Sequence, residues 1–212
     1  MKLKSILTLA ATTALLTSAA NAQSYLLNFD AGLSGSLANA QAPSGLSFEY
    51  GALLPNLDEF GDPIPGTDRW QIDITAPAVT VVDPNFYGRG NAPSIANALD
   101  CVFSPTLMLF STPQDLSSFS ITLDNDTFGM PGLSIEFYAS GLTTDTLLGT
   151  LLIDQLTPGF LANYSALYGV DKIVLPAGAL YDNVGFTVVP EPATGALFGL
   201  GILGMILRRC RR

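Results

Sequence analysis

Between its two ends the chain reads with a period of two. Residues 118–123 run Ser-Phe-Ser-Ile-Thr-Leu, and residues 133–138 run Leu-Ser-Ile-Glu-Phe-Tyr. Alternation puts apolar side chains on one face of an extended strand and polar ones on the other. Runs of this kind recur, separated by clusters of Gly, Pro, Asn, Asp and Ser that suit turns. The pattern predicts about ten strands, near 25–29, 46–50, 70–75, 78–82, 106–110, 118–123, 133–138, 147–153, 172–175 and 183–189. Each strand has one face to bury, and two stacked sheets bury it. The expectation is all-β: a single β-sandwich over 23–189, forming one domain.

Individual stretches sharpen this. Leu46, Phe48 and Tyr50 share a face. Trp70, Ile72 and Ile74 share another, so Trp70, the only tryptophan, is expected in the core. The continuous apolar run 106–110 suits a central strand. Two stretches hint at helix. One is 94–99, between Pro93 and Asp100. The other is 158–168, where Phe160, Leu161, Tyr164 and Leu167 stand at helical spacing. The acidic segment 51–69, with Pro55, Pro63 and Pro65, is expected to be a long loop.

Both ends read as processing segments. Lys2 and Lys4 precede an uncharged stretch from Ser5 to Ala20, then the small-x-small site Ala20-Asn21-Ala22. This predicts a secretory signal peptide over 1–22, cleaved before Gln23; the alternative is an uncleaved N-terminal anchor. At the other end, 193–207 is an apolar run of 15 residues. At about 1.5 Å per residue it spans roughly 22 Å, against a hydrocarbon core of about 30 Å. Arg208, Arg209, Arg211 and Arg212 follow, and long arginine side chains reach back to an interface. Positive flanks stay cytoplasmic, so the body of the chain is expected outside.

The net charge of −9 is unevenly spread, because six of nine basic residues lie in the two end segments. The stretch 23–190 keeps only Arg69, Arg89 and Lys172 against 17 acids, a net of −14. Such a surface disfavours nucleic acid and anionic lipid headgroups, and it also keeps an exported protein dispersed. Of the two cysteines, Cys210 is expected on the cytoplasmic side and Cys101 outside, so no internal disulfide forms. Cys101 reads as a small buried hydrophobe.

Pro190-Glu191-Pro192, the apolar span 193–207 and the basic tail 208–212, in that order, resemble the PEP-CTERM sorting signal. The resemblance implies an exopolysaccharide-producing Gram-negative bacterium and processing by exosortase, a membrane-embedded protease, after export by the Sec translocon and signal peptidase. It implies a transient membrane anchor, then the cell surface or extracellular matrix. Two prolines cannot continue a helix, which suits an extended cleavage site. Tyr181-Asp182-Asn183-Val184-Gly185-Phe186 is similar to the closing strand of many such exported domains. That likeness implies a jelly-roll or galactose-binding-like sandwich.

For chemistry the sequence offers little. It contains no histidine, which excludes histidine-based triads and the usual zinc ligand sets. Paired carboxylates suffice for glycoside hydrolysis, but with 17 acids in 23–190 no pair stands out. Asp124-Asn125-Asp126, in a turn after a strand, is a candidate calcium site, with 58–62 a second; solvated turn residues are the alternative. Phe86, Tyr87 and Arg89 are candidate glycan contacts in a loop. The expected function is a non-catalytic exported protein associated with exopolysaccharide or biofilm, without a cofactor. The alternatives are a glycan-binding sandwich, calcium-stabilised, and a glycan hydrolase.

Overall fold

The computed structural model describes residues 22–31, 33–83, 97–125, 133–142, 144–153 and 160–189. The signal peptide, the sorting segment and the expected transmembrane helix otherwise lie outside the described residues. Among those described there is no α-helix, and so none long and apolar enough to cross a membrane. Ten strands appear in order: β1 (Gln23–Leu27), β2 (Leu46–Leu54), β3 (Arg69–Ile72), β4 (Val81–Val82), β5 (Ala98–Cys101), β6 (Thr106–Asn125), β7 (Leu133–Ala139), β8 (Thr146–Ile153), β9 (Phe160–Leu175) and β10 (Ala179–Val189). They join in one hydrogen-bonded sheet, in the order β4-β5-β10-β6-β9-β7-β8. β1 adds to β10, β2 to β6, and β3 to β2. Apart from the outermost residues of β1 and β10, the strands lie in one compact unit, Ser24–Val188.

A flat sheet has no inside, so this one folds over itself. The geometry of β9 shows where. Phe137 of β7 lies directly opposite Ile173 of β9. Its ring centroid is also 5.0 Å from that of Tyr164, nine residues earlier on the same strand. In a straight strand Tyr164 and Ile173 would be about 30 Å apart. The β6–β9 ladder must therefore bend so that its two halves face each other. The register locates the bend. From the pair Leu109↔Lys172 to Gln114↔Val170, β6 advances five residues and β9 two. From there to Leu116↔Leu167, β6 advances two and β9 three. Extra residues on one strand kink it and increase its twist. Pro113, with no N–H to donate, falls inside the first bulge, where its lack of a donor does least harm. Gly169, at φ +70°, falls inside the second.

The fold is therefore all-β and sandwich-like. One half carries the start of β6 with β2, β7, β8 and the end of β9. The other carries the rest of β6 against the first part of β9. Between them Phe119 meets Phe137 edge-on, with centroids 5.1 Å apart. Gly149 of β8 has no room for a side chain: an added Cβ would strike the Tyr164 hydroxyl. Tyr25 of β1 stacks on Phe186 of β10 at 4.9 Å and closes the far end.

The alternation behaves as expected in most strands. Phe119, Ile121 and Leu123 are buried, as are Leu133, Ile135 and Phe137. Leu107 and Met108 are both fully buried, which suits the run 106–110 in a strand paired on both edges. Cys101 is buried and donates its S–H to Thr106 Oγ1 at 3.1 Å; burial pushes its thiol far up, so it is an inert hydrophobe.

Several expectations are corrected. Residues 160–168 are strand, not helix. Burial at Ala162, Leu167, Val170 and Ile173 advances in odd steps because the strand changes face through the bend, and odd steps imitate helical spacing. Ala98 and Leu99 belong to β5, not to a helix over 94–99, whose first residues lie outside those described. The expected strands 106–110 and 118–123 are one strand, and β2 runs four residues into the expected loop 51–69. Ile72 is 46% exposed and Ile74 91% exposed, so the set with Trp70 does not face the core. Among the described residues β3 pairs only with β2, which makes it an edge strand there.

Phe137→Ala is expected to cost about 3–5 kcal/mol, because its ring fills the space between the two halves. Gly149→Ala should also destabilise. Chemical denaturation of both variants checks this; an unchanged midpoint for either would contradict the bend.

Candidate functional site

The outer face of the first half carries the polar chemistry. On β9, Ile173 and Leu175 point to the core, so Lys172 and Val174 point away. Across the ladder Tyr138 lies opposite Lys172, and Glu136 opposite Val174. Directly opposed residues project to the same side, so Glu136, Tyr138 and Lys172 share this face. β2 outruns its pairing with β6 and forms a hairpin with β3 over Gly51–Leu54. That hairpin brings Trp70 onto the same face.

The contacts form a connected set. Tyr138 Oη donates to Glu136 Oε2 at 2.7 Å, and Trp70 Nε1 donates to the same oxygen at 3.4 Å. Lys172 Nζ donates to the Trp70 carbonyl at 2.8 Å and to Asp145 Oδ2 at 2.6 Å. The Lys172 and Asp145 side chains are only 9% and 3% exposed. Asp145 Oδ1 is buried and has no hydrogen-bond partner among the described residues. Burial, then the hydrogen bond and charge of Glu136, push the Tyr138 hydroxyl up to about 12.

Beside this cluster lies a cleft of about 940 Å³. Leu54, Leu57, Ile64 and Leu142 give it an apolar wall, and Asn56, Thr67, Arg69 and Gln71 line the rest. The loop is held in place by short bonds: Thr67 Oγ1 accepts from Asn56 N at 3.0 Å and donates to the Ile64 carbonyl at 2.6 Å. Gln71 Nε2 donates to the Leu54 carbonyl at 3.3 Å. Arg69 Nε is buried and finds no acceptor among the described residues. The cleft thus offers apolar contact area, an amide and a guanidinium, a set that suits a neutral or anionic polyhydroxylated ligand.

The residues expected from sequence to act lie mostly elsewhere. Phe86, Tyr87 and Arg89 lie outside the described residues. β6 runs on through Asp124 and Asn125, which the sequence places in a turn, and Asp126 lies outside the described residues. In 58–62 the Asp58 carboxylate accepts from the backbone of Phe60 and Asp62, both at 2.9 Å, so it serves its own turn. Among the described residues no group of acidic or cysteine side chains is gathered as a metal site. Ala22 and Gln23 of the expected signal cleavage site are exposed, while Ala20 lies outside the described residues, as do Pro190, Glu191, Pro192, Arg208, Arg209, Arg211 and Arg212. The Lys172 cluster was missed by pattern reading. Its signal was a lone lysine set before Ile173-Val174-Leu175, a charge inside an apolar run.

Residues 188–212 match the PEP-CTERM protein-sorting motif. The chain carries this motif, which marks an exported protein processed by exosortase. Curated proteins give no match. Among solved structures, one mutant of a family 29 carbohydrate-binding module aligns at TM-score 0.31 and 8% identity, over 79% of this chain and 92% of that one. A second mutant aligns at TM-score 0.29 and 9% identity, over 79% and 93%. Scores this low carry no argument.

Glu136→Ala should lower the Tyr138 pKa from about 12, because it removes an acceptor and a negative charge. It should stay above the ordinary tyrosine value, since burial is the larger cause. Ultraviolet titration, with Tyr138→Phe as the reference, reads the shift.

Proposed function

We propose that this is an exosortase-processed protein of the cell surface or extracellular matrix whose sandwich holds exopolysaccharide without catalysis. Export rests on the sorting motif at 188–212, the observation that carries the reading. On this reading 1–22 is a cleaved signal peptide, 23–189 a jelly-roll-like domain, and 190–212 a sorting segment that is removed. Glycan binding is assigned to the cleft beside β3. Sugars present C–H patches next to hydroxyls, and the cleft sets Leu54, Leu57 and Ile64 beside Arg69 and Gln71. Arg69 brings a cation to a domain whose net charge is −14 over 23–190, so its position in a cleft favours a ligand carrying carboxylate or other acidic groups.

Two measurements test this reading. Peptide mass spectrometry of protein recovered from cells is expected to find a C-terminus near Pro190–Pro192. Peptides through the arginine tail in the membrane fraction would instead make the span a permanent anchor. Affinity electrophoresis through acidic and neutral polysaccharides is expected to show retardation that Arg69→Ala weakens about tenfold, as for loss of a charged hydrogen bond. Equal retardation of variant and wild type would remove the cleft from the proposal.

A further inference from the structure

We propose that Lys172 and Asp145 condense to an intramolecular isopeptide bond that ties the segment before β8 to β9. The Lys172 nitrogen attacks Cγ of Asp145, a C–N bond forms, a C–O bond breaks, and one water leaves. Ammonium plus carboxylate equals amide plus water, so the step needs no oxidant, reductant or co-reactant.

The geometry of the pair and its surroundings support it. The reacting groups are already in contact, at 2.6 Å, from side chains that are 9% and 3% exposed. Holding two groups together in a dry site replaces a bimolecular encounter with an effectively unimolecular one. Passing one proton along the 2.6 Å hydrogen bond is the first step of the reaction and gives a neutral amine and a carboxylic acid. That is the protonation state in which the nitrogen is a nucleophile and the carboxyl can lose a hydroxyl.

The hydrogens on the lysine nitrogen fit the product better than the ion pair. An ammonium has three hydrogens to place, yet among the described residues Lys172 Nζ has two acceptors, Asp145 Oδ2 and the Trp70 carbonyl. Asp145 Oδ1, buried and without a partner among the described residues, stays as the amide oxygen, so it does not distinguish the two states. In the amide a single N–H remains, and the Trp70 carbonyl, 2.8 Å from Nζ, accepts it. Oδ2 departs as water.

The step needs a proton carrier. After attack, the second amine proton must reach the leaving oxygen. Tyr138 lies opposite Lys172 in the ladder and feels the Asp145 charge, and its hydroxyl is held by Glu136 at 2.7 Å. We assign this transfer to the Tyr138 hydroxyl: its oxygen takes the amine proton, and its own proton, turned from Glu136, goes to the leaving oxygen, which departs as water.

The setting gives the bond a purpose. Within 23–189 the one cysteine is Cys101, which is buried, so this stretch has no disulfide staple of its own. A bond between residues 27 apart would restrict the unfolded chain as a disulfide does.

Full-length chain, expressed with its export signal and recovered folded, is denatured and weighed whole, then digested with trypsin. The expected mass is about 18 Da below that calculated for the chain between the two ends that peptide mapping finds, the loss of one water. Cyclisation of an N-terminal Gln23 would remove about 17 Da as ammonia, and peptide mapping separates the two. Trypsin does not cut at an acylated lysine, and Lys172 is the only basic residue between Arg89 and Arg208. The denatured wild type should therefore stay uncut after Lys172. Asp145→Ala and Lys172→Met should show no loss of water, and Asp145→Ala should be cut after Lys172. A wild type of full mass, cut at Lys172, would overturn the proposal and leave a buried salt bridge. A loss of water that persists in Asp145→Ala would overturn it as well. The decisive reading is on wild-type protein, so a variant that folds poorly does not spoil it.

Discussion

The bend in the β6–β9 ladder is the constraint on which the rest depends. These two strands are the longest in the sheet, and each takes part in both layers. Unbent, they would leave one broad sheet with an apolar face open to water. Bent, they place Phe119, Phe137 and Tyr164 in one cluster drawn from three strands. The bulges at 109–116 thus decide where the core is, although no core residue sits at their tip. The turn exposes Ser111, Thr112 and Pro113 and leaves their neighbours to pack.

The same bend fixes the polar cluster. By setting Ile173 and Leu175 inward it sets Lys172 outward, onto a face that would normally be wet. The β2–β3 hairpin then covers that face, and the lysine meets Asp145 under a roof made by Trp70. Stability and chemistry diverge here. A lysine placed for solubility would have stayed in water, where a carboxylate partner is worth little. Buried, the same pair becomes costly to separate and has its reactivity raised by the loss of solvent.

Much of this was legible in the sequence. Phe119, Ile121 and Leu123, or Leu133, Ile135 and Phe137, advertise their strands because a period of two is a local property. The merging of 106–110 with 118–123 was not legible, since it depends on which strand lies alongside and how many residues each spends in a bulge. The helical look of 160–168 arose from the same cause: a face change in the middle of a strand mimics a period of three to four. Trp70 was misplaced because alternation tells which residues share a side, not which side is covered. The cleft was invisible for a related reason. Arg69 and Gln71 are ordinary polar residues in sequence, and only the loop 55–67 folding beside them makes a concave surface. The sorting motif, by contrast, is a linear signal and could be read directly.

The matched motif begins at Val188, inside β10, so the last strand of the domain runs directly into the segment that is processed. β10 is also an inner strand, bonded to β5, β6 and β1. Any pull on the chain beyond residue 189 is therefore directed along the axis of a strand held by its neighbours. Such a load shears many hydrogen bonds at once instead of unzipping them singly. Tension applied at the C-terminal end, at a membrane or in a matrix, would be borne by several strand pairs together before any one of them gave way.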